Sequence, residues 1–89
     1  MSLLILACSY NNVDIIKILI DNKVNLDFQD NFGDSALILA CYHYNTYIAK
    51  LLINNKANLD LQTKNRQTAL MWACESNSIN IVLFMLETL

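Results

Sequence analysis

Eighty-nine residues are enough for one small domain. At 55% hydrophobic and 16% charged, the chain can bury a core, and its net charge of −2 disfavours a phosphate-backbone partner, which calls for a basic patch. One glycine and no proline exclude glycine-rich phosphate loops, and no apolar run is long enough to cross a membrane as a helix.

The chain opens on Ser2-Leu3-Leu4-Ile5-Leu6-Ala7-Cys8, which has the look of an export-signal core ending on a lipoprotein-type cysteine. It lacks a cationic start, because the first lysine is Lys17. The string also returns as Ser35-Ala36-Leu37-Ile38-Leu39-Ala40-Cys41, and more weakly as Thr68-Ala69-Leu70-Met71-Trp72-Ala73-Cys74. Cleavable signals do not recur inside mature chains, so the segment is one unit of a repeat. Cys8, Cys41 and Cys74 are 33 residues apart, and laying residues 2–29 on 35–62 gives 17 identities in 28 pairs. A fixed period of this size indicates stacked supersecondary units.

The elements of one unit read in order. Ser35 is a helix N-cap, since its hydroxyl can accept from an unpaired backbone N–H. Leu37, Ala40 and Cys41 follow at helical spacing. Tyr44-Asn45 breaks the pattern, and Ile48, Leu51 and Leu52 mark a second helix with Lys50 on its wet side. Asn54-Asn55-Lys56 ends it, because Asn tolerates left-handed backbone. The stretches Asn25–Asp34 and Asn58–Gln67 are short and polar and read as turn-bearing fingers between helix pairs. The last helix, Ile79–Leu89, carries Ile81-Val82-Leu83-Phe84-Met85-Leu86 without a polar break, and Leu83 stands where Lys17 and Lys50 stood.

The period and this order of residues resemble the ankyrin repeat. The family's Thr-Pro-Leu-His appears as Ser35-Ala36-Leu37-Ile38 and Thr68-Ala69-Leu70-Met71, and its Asp-x-x-Gly finger as Asp30-Asn31-Phe32-Gly33. Its Ile-Val-x-Leu-Leu appears as Ile15-Ile16-Lys17-Ile18-Leu19 and Ile48-Ala49-Lys50-Leu51-Leu52. The resemblance implies an all-α solenoid of stacked antiparallel helix pairs with short β-turn fingers. It covers one domain, 1–89, in three repeats: 1–29 (truncated at its start), 30–62 and 63–89. Departures are the missing prolines, the missing finger histidine, Arg66 in place of Gly33, and Lys23 and Lys56 in place of glycine after the second helix. The array is expected to be less stable than a consensus one.

The terminal units lack a polar outer face. Leu3, Leu4 and Ile5 at one end, and Leu83 with its neighbours at the other, are expected to face water. The sequence is then a fragment of a longer array, or it buries these ends, by end-to-end self-association among other routes.

The three cysteines and His43 could suggest a zinc set. However, neighbouring helices stack roughly 8–10 Å apart, whereas a disulfide needs Cα atoms within about 7 Å. All three are expected to be buried, reduced and apolar in role. Met71 and Trp72 match Ile38 and Leu39 by register and are expected to pack against the neighbouring unit, with an edge of Trp72 toward the groove. No G-x-S-x-G, H-E-x-x-H or paired-carboxylate motif is present, so no catalysis, cofactor or metal is expected.

The resemblance implies binding to another protein through finger tips and the exposed side of each first helix. Carried over residue by residue, those positions are Asn31, Phe32 and Asp34 in one finger and Lys64, Asn65 and Gln67 in the next. On the first helices they are Ser9 and Tyr10, Tyr42 and His43, then Glu75 and Ser76. The first finger is acidic through Asp27, Asp30 and Asp34, while the second carries Lys64 and Arg66. The expected function is a protein–protein interaction module in the cytoplasm or another intracellular compartment. The alternative is a regulatory or targeting segment of a larger enzyme.

Overall fold

Three short helices each begin at a hydroxyl. Ser2, Ser35 and Thr68 accept from the backbone N–H of Ile5, Ile38 and Met71 at 3.3, 3.2 and 3.3 Å. These caps start α1 (Leu3–Ser9), α3 (Ala36–Tyr42) and α5 (Ala69–Glu75). Each is followed by an antiparallel partner: α2 (Val13–Asp21), α4 (Thr46–Asn54) and α6 (Ile79–Thr88). Asn12 and Asn45 cap α2 and α4 through their side-chain oxygens. The structure, a computed structural model, describes residues 2–89.

Helices of seven to ten residues are not stable alone, so packing must hold them. The first helices line up α1–α3–α5, and α4 packs on α6. Ala7, Ala40 and Ala73, with Ala36 and Ala69, are buried and let these helices approach closely. Ile16, Leu37, Ile38, Ile48, Leu52, Ile81 and Met85 fill the space between layers.

Five helices stop by the same device. After α1 to α5, one residue adopts left-handed backbone: Asn11 (φ 58°), Lys23 (58°), Tyr44 (59°), Lys56 (67°) and Asn77 (57°). Two backbone bonds then fold the chain back. After α2, for example, Val24 N–H donates to Leu19 C=O at 3.3 Å and Lys23 N–H to Ile20 C=O at 2.9 Å. This is the Schellman closure, which satisfies carbonyls the helix leaves unpaired. The left-handed residue is thus Lys56 and not the Asn54 or Asn55 that local chemistry favours, and Lys23 and Lys56 stand where the family has glycine.

The fingers are reverse turns. Gly33 N–H donates to Asp30 C=O and Arg66 N–H to Thr63 C=O, both at 2.9 Å. Arg66 forms the second turn with φ 63° despite its side chain. The fingers are tied side by side by Lys64 N–H to Phe32 C=O at 3.1 Å. The Gln29 amide also donates to Gly33 C=O and Gln62 C=O, both at 2.8 Å, and the Asp27 carboxylate accepts from Asn58 N–H at 2.8 Å. Gln29 thus cross-links the finger backbone where the family's histidine is missing.

Four sequence expectations fail on burial. Cys74 is exposed, whereas Cys8 and Cys41 are buried. Met71 is exposed rather than packed. Both lie on the face of the third pair that, in the first two pairs, is covered by the next unit. At the other end, Leu4 and Ile5 are buried and only Leu3 of that trio faces water. Leu4 and Ile5 belong to the buried core, on a helix that packs against α2 and α3.

Candidate functional site

Tyr42 is the last residue of α3 and His43 its C-cap. Trp72 projects from the middle of the next first helix, α5. The Tyr42 ring meets the Trp72 ring edge-on with centroids 4.8 Å apart, and the His43 ring edge-on at 5.0 Å. Such edge-to-face pairs stiffen each other beyond simple burial. The trio walls two adjoining cavities on the finger side of the first helices. One, of about 390 Å³, adds Tyr44, Glu75 and Ser76. The other, of about 260 Å³, adds Asp34, Ile38 and Leu39.

The site is acidic and aromatic. Glu75 and Asp34 stand at its two ends, and among the described residues no lysine or arginine lines either cavity. Partial burial, and then the nearby Asp30 carboxylate, push the Asp34 pKa above the ordinary carboxylate value. Asp30 is held in place because its carboxylate accepts from Phe32 N–H and Asp34 N–H, both at 2.9 Å. Trp72 Nε1–H is buried without a hydrogen-bond partner among the described residues. An unpaired buried donor of this kind costs about 1–3 kcal/mol, the consequence of a tryptophan where the preceding unit has Leu39.

The structure brings five of the twelve sequence-derived positions together here: Asp34, Tyr42, His43, Glu75 and Ser76. Phe32, Lys64 and Asn65 form the exposed finger tips, with Phe32 74% exposed. Asn31 lines a different hollow, with Phe28 and Asp30 against Ser2 and Ile5. Gln67 is half-buried, its backbone bonded into the second turn. Four lining residues were not singled out as binding positions from the sequence: Ile38, Leu39, Tyr44 and Trp72. Tyr44 carried a signal: a bulky residue occupies a left-handed position that Asn11 and Asn77 hold in the other units.

The cysteines take no part. Burial pushes the Cys8 thiol up to about 11 and the Cys41 thiol to about 12. Among the described residues no group of three or more His, Cys, Asp or Glu could hold a metal ion, and no helix is long and apolar enough to cross a membrane.

The family profile described as "Ankyrin repeats (3 copies)" matches residues 4–88. No curated protein sequence matches the chain. Among solved structures, EF0377, an ankyrin repeat protein, is similar at 28% identity and TM-score 0.89, over 94% of this chain and 45% of that one. The human ASB11 ankyrin repeat domain is similar at 31% identity and TM-score 0.87, over 99% and 40%. A chain from the complex of the Bd0816 predatory endopeptidase of Bdellovibrio bacteriovorus with immunity protein Bd3460 matches at 27% identity and TM-score 0.85, over 99% and 46%. The chain therefore spans less than half the length of these structural relatives.

Proposed function

The chain belongs to the ankyrin-repeat family, whose members are generally protein-interaction modules. On that premise we propose that its concave face binds an extended segment of a partner protein, and that the segment presents a cationic side chain next to an apolar one. The observation that carries this is the paired cavity of Tyr42, His43 and Trp72, bounded by Asp34 and Glu75. A lysine or arginine over an aromatic face is attracted to the ring, and a flanking carboxylate adds to that attraction. Unlike charge at the rim also orients the approach. The exposed finger tips, Phe32 and Lys64 with Asn31 and Asn65, extend the contact beyond the groove. Gln67 supports the second turn from behind. The alternative role, a regulatory or targeting segment of a larger enzyme, would use the same surface.

Selection of a random displayed-peptide library against the chain tests the reading. Enriched peptides should share a lysine or arginine beside an aliphatic or aromatic residue, and should lose binding to Glu75→Lys. Enrichment of acidic or purely apolar peptides, or retention on Glu75→Lys, would overturn it.

A further inference from the structure

Each unit turns from its first helix into its second through one residue in left-handed backbone. Asparagine takes that place at Asn11 (φ 58°) and Asn77 (φ 57°), and tyrosine takes it at Tyr44 (φ 59°). The three turns close alike: Asn12, Asn45 and Ser78 N–H donate to Ala7, Ala40 and Ala73 C=O at 2.9, 2.8 and 2.9 Å. The backbone therefore makes the same demand at all three. Asparagine tolerates it, whereas a bulky side chain there is a steric outlier. Burial does not offset the strain, because Tyr44 is 65% exposed. The turn belongs to the middle helix pair, with α1–α2 on one side and α5–α6 on the other. Folding alone gives no reason for a tyrosine here, and strain that packing does not explain points to function.

Tyr44 walls the groove. It lines the cavity of about 390 Å³ together with Tyr42, Trp72 and Glu75. The Tyr42 and Trp72 rings stand at 88° to one another. A planar group laid flat on one ring therefore turns its edge to the other. Glu75 adds a carboxylate, and among the described residues no lysine or arginine lines the cavity. Protein cations fit such a place unequally. The lysine ammonium is a compact, strongly hydrated point charge that loses its water among rings. The arginine guanidinium is flat and weakly hydrated, so it stacks on a ring while its N–H groups still donate in plane to a carboxylate.

Resting on the groove reading above, we propose that this cavity selects arginine over lysine in the partner segment, and that Tyr44 sets the preference. The tyrosine is held in strained backbone because its ring adds an aromatic wall that asparagine would leave open.

The test uses cationic peptides enriched from the displayed library, each synthesised in two forms, with arginine or with lysine at the cationic position. Fluorescence anisotropy of the labelled peptides gives the affinity of each form for the chain. The arginine forms should bind wild type several-fold more tightly. Tyr44→Asn, which restores the residue type of Asn11 and Asn77, should bring the two forms to near parity while its urea midpoint rises. Tyr44→Phe keeps the ring and should keep the preference. Equal binding of both forms to wild type overturns the proposal and leaves the groove reading standing. A Tyr44→Asn chain that keeps the preference, or a Tyr44→Phe chain that loses it, overturns the role of the ring. A lower urea midpoint for Tyr44→Asn contradicts the strain on which the argument rests. A library that enriches no cationic peptide refutes the groove reading, and this inference with it.

Discussion

Gly33→Ala and Arg66→Gly change the same position of two successive fingers, and they should act in opposite directions. Gly33 has φ +81°, and a Cβ built there would lie 2.8 Å from Lys64 N and 2.9 Å from Thr63 Cα. Both atoms belong to the backbone of the second finger, which is held at this spacing by the Lys64–Phe32 bond. Neither can swing aside. Left-handed backbone costs an alanine roughly 1–2 kcal/mol. Forcing a methyl into a packed site costs about 1–3 kcal/mol more. The stiffer unfolded chain returns roughly 0.4–1 kcal/mol. The net loss is about 3 kcal/mol, a fall in Tm of about 12–24 °C for a domain of this size. Arg66 has φ 63° and its side chain is exposed, so the strain there is that of the backbone alone. Arg66→Gly relieves the strain and loses only part of it to unfolded-state entropy, so it should gain about 0.5–1 kcal/mol. Thermal unfolding followed by far-ultraviolet circular dichroism at low concentration reads both. A Gly33→Ala chain melting within a degree or two of wild type, or an Arg66→Gly chain melting lower, would refute the account of the fingers.

The same strain argument predicts that Lys23→Gly and Lys56→Gly each raise the denaturation midpoint by up to about 1 kcal/mol, checked by urea titration. Cys74 should be alkylated rapidly at dilute concentration and mildly alkaline pH, while Cys8 and Cys41 react only on unfolding, as mass spectrometry of the labelled chain would show; the cause is burial, which pushes those two thiols up to about 11 and about 12. The folded-state pKa of Asp34 is raised, by burial and then by Asp30, so its ionisation opposes folding. That cost is absent below the unfolded pKa and grows as pH rises through the folded one. Asp34→Asn should therefore be more stable than wild type at neutral pH, with the difference closing toward about pH 3. Paired denaturation curves at the two pH values decide it.

Much of this architecture is legible in the residues. The 33-residue step and the hydroxyl caps at Ser35 and Thr68 follow from local chemistry, whereas the left-handed stops at Lys23 and Lys56 follow only from the family's glycine at those positions, since the residues alone point to Asn54 and Asn55. The exposure of Cys74 and Met71 did not follow, because a repeat pattern reports what a side chain does when a neighbour is present. Whether the neighbour is present is a tertiary fact. The converse error at Leu4 and Ile5 has the same root, since their cover comes from within the first pair and from α3. The groove was half legible. Tyr42, His43, Glu75 and Asp34 stood out as positions that vary between matched units. That they converge on Trp72 depends on how closely α3 and α5 approach, which buried alanines set. Gln29 was invisible as a cross-link because glutamine occupies the matching position in both units, Gln29 and Gln62.

Trp72 is the only tryptophan in the chain, and it walls both cavities of the proposed groove. Titration of the chain with a library-selected cationic peptide, followed by tryptophan emission, therefore reports directly on occupation of that site. Saturable change in Trp72 emission is expected, with Tyr42→Ala weakening the apparent affinity by roughly 5- to 150-fold, the equivalent of about 1–3 kcal/mol for an aromatic anchor. A peptide that binds tightly by calorimetry, leaves the emission unchanged and is indifferent to Tyr42→Ala would place the interface elsewhere and contradict the concave-face assignment.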